Sequence, residues 1–191
     1  MIKMRKSNYL QLSENKDREV YNLLLNCRHC LKEQLNNYIS DNRIKQYQHQ
    51  KLIERVDYKN GYCFRLTDKG YKEFDRQLGH ENMRYHSQSI SHDIMLSYKY
   101  IQAHKENENI IWKNEEDLKS IKRDMIKELR EQGNYERMEQ LERMSVPDSL
   151  YIDGEISIGY DVITDNYSNI DIQLKEEFCN EVGASFQTDR I

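Results

Sequence analysis

Asp148 and Asp161 stand on the two arms of a short hairpin in VPDSLYIDGEISIGYDVI, residues 146–163. Pro147-Asp148 opens the first strand, Asp153-Gly154 supplies the turn, and the second strand carries Asp161. Two carboxylates so placed, with Glu115 or Glu116 as a third, could cradle Mg²⁺, which polarises a phosphate and activates water. That chemistry also needs a cation beside the metal to stabilise developing charge and orient the nucleophile. Metal-dependent nucleases place a lysine two residues past the second carboxylate, and Ile163 stands there instead. Lys175, one turn into the following helix, is the residue left to reach back. The plainer reading makes Asp161 a solvated edge residue and the unit a scaffold without the chemistry. On that reading the chain has no catalytic residue, no metal and no cofactor.

A second set, CRHC at residues 27–30, has the spacing of a metal or redox pair. A structural zinc needs four ligands, and no second CxxC or HxxxH is present. Only His29 and Cys63 remain to complete a set. All four cysteines, Cys27, Cys30, Cys63 and Cys179, are therefore expected as free thiols in a reducing cytoplasm.

The elements that would position these groups separate by charge. Residues 1–79 hold sixteen Lys/Arg and ten Asp/Glu; residues 80–191 hold thirteen and twenty-three. A balance of +6 against −10 predicts two modules, the first suited to a polyanion. No apolar run is long enough to span a bilayer. The basic start MIKMRKSNYLQL lacks the apolar core of a secretory signal.

In the first module Ser13 is expected to cap a helix carrying Val20, Leu23 and Leu24, and a short second helix carries Leu31, Leu35, Tyr38 and Ile39. Ser40 caps a third, over residues 40–55, with Ile44, Tyr47, Leu52, Ile53 and Val56 turned inward. Its other face offers Asn42, Arg43, Lys45, Gln46, His49 and Gln50, side chains able to bond phosphates and base edges. Two alternating strands follow around Asn60-Gly61, whose positive-φ habit suits a tight hairpin, and Thr67 caps a last helix through Tyr71 and Phe74. Three helices and a hairpin, with FRLTDKGYKEF at the junction to the last helix, resemble a winged helix-turn-helix. The resemblance implies that the helix at 40–55 lies in a DNA groove and that Lys59 and Arg65 decorate the wing.

In the second module a helix opening with His92-Asp93 carries Ile94, Tyr98 and Ile101, and NIIWKNEEDL gives a strand ending in Glu115 and Glu116. A charged helical insertion over about 114–144 comes next, then the hairpin with the two aspartates. A last helix is capped by Ser168 with Asp171 and carries Ile170, Leu174 and Phe178 down one side. The expected class is α+β: a winged helix over 1–79 and a small α/β domain over 80–191.

His92-Asp93, Trp112, Glu115 or Glu116, Pro147-Asp148, Asp161, Thr164 and Lys175 together resemble the replication-relaxation proteins of bacterial mobile elements. The resemblance implies a winged helix fused to a degenerate restriction-endonuclease-like domain, in plasmid or transposon replication and transfer. The expected function is sequence-specific binding of double-stranded DNA, as transcriptional regulator or as replication or transfer accessory factor. The expected form is a cytoplasmic homodimer without membrane contact. The alternatives are a metal-dependent nuclease guided by the winged helix, and a protein-binding inhibitor whose acidic half mimics DNA.

Overall fold

The computed structural model describes residues 10–86 and 89–191, so most of the basic opening stretch lies outside the described residues. The chain is α+β, with eight helices and two small sheets among the described residues. No helix of those residues is long and apolar enough to cross a membrane.

Helix α1 (Lys16–Cys27) buries Val20, Leu23 and Leu24 as its spacing predicts. Ser13 lies outside the helix but exchanges hydrogen bonds with Asp17. A single turn, α2 (Lys32–Leu35), leads to α3 (Asp41–His49); Ser40 stands at its N-cap position, but its side chain makes no cap hydrogen bond. Helix α3 is shorter than the predicted 40–55, because Lys51 takes a positive φ of 57° and the chain turns into β1 (Ile53–Tyr58). Ile53 and Val56 therefore belong to a strand, paired antiparallel with β2 (Gly61–Leu66). The register places Tyr58 opposite Gly61, so Lys59 and Asn60 make the turn, with Lys59 carrying the positive φ of 49°. The turn pair is thus offset by one residue from the expected Asn60-Gly61. Gly61 has open space around its Cα and no positive φ.

Helix α4 (Asp68–Leu78) is capped by the Thr67 hydroxyl, which accepts from Gly70 N at 2.9 Å. Gly70 lies directly on the backbone of Leu52, where any Cβ would sit 1.8 Å from the carbonyl oxygen. This contact joins α4 to the α3–β1 corner.

The second half begins with α5 (Ile90–Glu106), capped by Ser89. Strand β3 (Ile111–Asn114) ends one residue before Glu115. Glu115 and Glu116 thus open α6 (Glu115–Glu131) behind the Asn114 cap, instead of closing the strand. Helix α7 (Tyr135–Arg143) folds back on α6 across Gly133, whose φ is 71°. Strands β4 (Ser149–Asp153) and β5 (Ile156–Ile163) form the expected hairpin, and α8 (Asn169–Glu181) crosses over to β6 (Ser185–Arg190). The sheet order is β3-β4-β5-β6, antiparallel except for the parallel β5-β6 pair.

Alternation along β4 explains the layering. Tyr151, with Trp112, Tyr160 and Val162, joins the core shared with α1 and α5; Leu150 and Ile152 join Leu118, Leu141 and Phe178 under α6, α7 and α8. Trp112 stacks on its cross-strand neighbour Tyr151 with centroids 5.6 Å apart. Tyr98 and Ile170, expected on inward faces, are exposed; the Tyr98 hydroxyl instead donates to Glu33. The apolar core runs unbroken from Leu12 to Val162, so the change in charge at residue 79 does not divide it. Buried amides fasten the two halves: Asn82 and Asn114 both donate to Asn26 Oδ1, at 2.8 and 3.0 Å.

Candidate functional site

Helix α3 has two faces of different chemistry. Ile44 and Tyr47 are buried, while Asn42, Lys45, Gln46 and His49 fall at spacings of three and four residues and form one exposed stripe. Asn42, Lys45 and His49 have no side-chain hydrogen bond or ion pair among the described residues, and Gln46 accepts only from Arg43. Their polar ends are free for an outside partner.

The other expected contact residues are more committed. Arg43 is half-buried; it pairs with the buried Asp17, which also accepts from Tyr47, and its Nη2 donates to Gln11 O at 2.8 Å. Burial works against ionised Asp17, but the bonds from Arg43 and Tyr47 outweigh it and hold the carboxyl below its ordinary value. Arg43 thus secures α3 to α1. Gln50 closes the helix and gives its carbonyl to Lys69. On the hairpin, Lys59 rests over the Tyr58 ring at 5.1 Å, and Arg65 pairs with Glu54 at 2.7 Å.

The residues weighed for metal chemistry come together between the layers. Asp148 lies at the entry to β4, Asp161 in β5, and Lys175 reaches over from α8. Lys175 Nζ is 2.5 Å from Asp161 Oδ1, 3.1 Å from the Tyr167 hydroxyl and 4.0 Å from Asp148 Oδ1. The carboxylates brace each other through the backbone: Asp148 N donates to Asp161 Oδ1 at 3.1 Å, and Val162 N to Asp148 Oδ2 at 2.7 Å. From the opposite face His92 Nε2 meets Asp148 Oδ2 at 2.7 Å, while its Nδ1 meets the Tyr85 hydroxyl at 3.3 Å. The chain of contacts ends at Asp93, which holds His29 Nδ1 at 2.6 Å.

Burial sets the electrostatics. It works against the His92 imidazolium, but the bond to Asp148 and the Asp93 carboxylate 3.6 Å from Nδ1 outweigh it and raise the group to about 9. Burial also opposes ionised Asp148, yet His92 and Lys175 hold it below the usual carboxylate range. Asp161, desolvated and beside the Asp148 charge, is raised despite Lys175. Two carboxylate oxygens of the network, Asp161 Oδ2 and Asp93 Oδ1, have no hydrogen-bond partner.

This arrangement does not fit a divalent cation. The Lys175 ammonium lies against both carboxylates, and neither aspartate has solvent-exposed surface. Glu115 and Glu116 are turned to Lys119. Among the described residues no group of three or more His, Cys, Asp or Glu is arranged to hold a metal. Asp161 is therefore a buried partner of Lys175 and not a solvated edge residue. All four cysteines are buried and unpaired.

Tyr85 and His29 join this network without a sign in the neighbouring sequence. Their partners lie about sixty residues away or face them only after α5 docks, so local spacing carries no sign of them. Set against family models, curated proteins and solved structures, the chain matches none.

Proposed function

We propose that the chain is a DNA-binding protein whose first half is a winged helix-turn-helix, with α3 as the helix that enters the major groove. The observation that carries this reading is the exposed α3 stripe of Asn42, Lys45, Gln46 and His49, supplied with donors and acceptors, while Asp41, the acid of the first turn beside it, is paired with Lys32. The β1-β2 hairpin with Lys59 at its tip follows α3 directly, in the place of a wing. The polar chain from His29 to Lys175 fixes the second half as a rigid support, and a second copy would present a second α3 to a two-fold site. The resemblance to replication-relaxation proteins supports a role in a bacterial mobile element, as transcriptional regulator or replication or transfer accessory factor.

Fluorescence anisotropy with duplexes drawn from the DNA upstream of the chain's own gene tests this. Affinity is expected to fall steeply with salt, and Lys45→Gln to lower the log–log slope by about 0.9, the value of one phosphate contact. An unchanged slope and affinity in the double variant Lys45→Gln/His49→Ala would contradict the assignment of α3.

A further inference from the structure

Arg28 closes α1 in a conformation that calls for a reason. Its φ is 67° and ψ −61°, and His29 N donates to Cys27 O at 2.8 Å across it. That is a γ-turn of the positive-φ kind, rare and strained for a residue with a side chain. Strain of this type persists where the surroundings enforce it and concentrates at sites that bind. The turn sends His29 inward to Asp93 and leaves the Arg28 guanidinium at the edge of the core. There Arg28 Nε is shielded from solvent yet has no hydrogen-bond partner.

Two further arginines are brought to the same corner by backbone bonds. Cys30 and Phe64 exchange hydrogen bonds at 3.0 and 2.8 Å, which sets Arg65 beside the 28–30 turn. Tyr85 N donates to Leu25 O at 3.1 Å, which sets Arg84 against the end of α1. Burial, then the charges of Arg84 and Arg65, hold the Arg28 guanidinium below its ordinary value, with Asp93 and Asp68 acting the other way. Glu54 pairs with Arg65, Asp68 with Arg84 at 3.1 Å, and Asp93 with His29; the Arg84 guanidinium also lies over the Tyr71 ring at 5.0 Å. Arg28 has no carboxylate within ion-pair distance among the described residues.

We infer that Arg28, Arg65 and Arg84 form a binding site for a phosphate group. Guanidinium forks match phosphate oxygens in pairs, and three of them at this corner supply more donors than Glu54 and Asp68, the carboxylates paired with them, absorb. Arg84 pairs with Asp68 in the first turn of α4, and the next residue, Lys69, bonds the end of α3 at Gln50 O. A duplex seated on α3 would thus bring a backbone phosphate toward the corner. In that form the inference deepens the DNA-binding reading and rests on it, whereas a free phosphate or pyrophosphate would use the same forks without it.

The test uses the full chain with a labelled duplex at low salt and, separately, calorimetry with inorganic phosphate and pyrophosphate. Arg28→Gln and Arg84→Gln are each expected to weaken duplex binding about tenfold and to lower the salt slope by about 0.9, with Arg28→Lys restoring most of the slope. Glutamine at residue 28 meets the same φ as arginine; should that variant not fold, Arg84→Gln and Arg65→Gln carry the test. If Lys45→Gln lowers the slope but the arginine variants leave it unchanged, the site is overturned and the DNA reading stands. Absence of duplex binding, with pyrophosphate binding that Arg84→Gln abolishes, supports the site and removes the DNA reading. Binding of neither duplex nor phosphate overturns the site.

Discussion

Replacing Lys175 with methionine is expected to destabilise the fold by about 3–5 kcal/mol at neutral pH, the usual loss when one partner of a buried ion pair is removed. Methionine fills much of the space of the lysine stem, so lost packing is minor and the effect reports charge. Asp161 keeps the backbone bond from Asp148 N but loses its one close cation. Raised from 3.8 to about 7 already, its carboxyl would move further up without the ammonium. A carboxyl with a raised folded-state value binds its proton more tightly when folded. Its penalty is therefore full above that value and is relieved as pH falls through it toward 3.8. The deficit of Lys175→Met is expected to be greatest in alkaline buffer and to shrink on acidification, and adding Asp161→Asn is expected to recover a substantial part of it. Urea titrations at several pH values measure this. A Lys175→Met variant as stable as the parent would show that the ammonium is not buried between the aspartates.

Gly70→Ala is the second large effect. The added methyl would stand 1.8 Å from Leu52 O and 2.6 Å from Leu52 C, atoms of a backbone that cannot rotate away. The same carbonyl accepts from Thr67 N at 3.0 Å, so a shift that clears the methyl also strains the α4 cap. Alanine is the better helix former by about 1 kcal/mol, yet overpacking of this severity costs about 3 kcal/mol or more. Gly61→Ala is the matched control, because nothing lies within 4 Å of its Cβ position and its φ is not positive. Thermal melts are expected to show a large drop for residue 70 and almost none for residue 61. Equal drops would mean that α4 does not rest on the α3–β1 corner as described.

Much of the fold was legible because several local rules agreed. Thr67, Ser89 and Ser168 each cap the helix they precede, and the alternation in both hairpins gave the strand pairs. Legibility failed where a tertiary partner decides. Strand β6 has one apolar residue, Phe186, in SFQTDR, and its strand form comes from pairing with β5. Asn60-Gly61 looks like a turn by composition, but the register set by Ile53 opposite Leu66 puts Lys59 at the apex.

At the sites, the sequence pointed to Asp148, Asp161 and Lys175 without showing which partner each would take. Their contacts depend on α8 crossing over β5 and on α5 bringing His92 to Asp148. Arg43 illustrates the converse. Read as one of several polar residues on α3, it is the one that Asp17 draws back into the protein.

The proposed DNA binding depends on the exposed face of α3. Amide NMR spectra of the full chain, titrated with duplex DNA at low salt, address it directly. The expected result is a set of shift changes centred on Asn42, Lys45, Gln46 and His49 and extending to the hairpin tip at Lys59, with the α6–α7 amides unmoved. Shift changes confined to residues 115–143, or none at all, would contradict it.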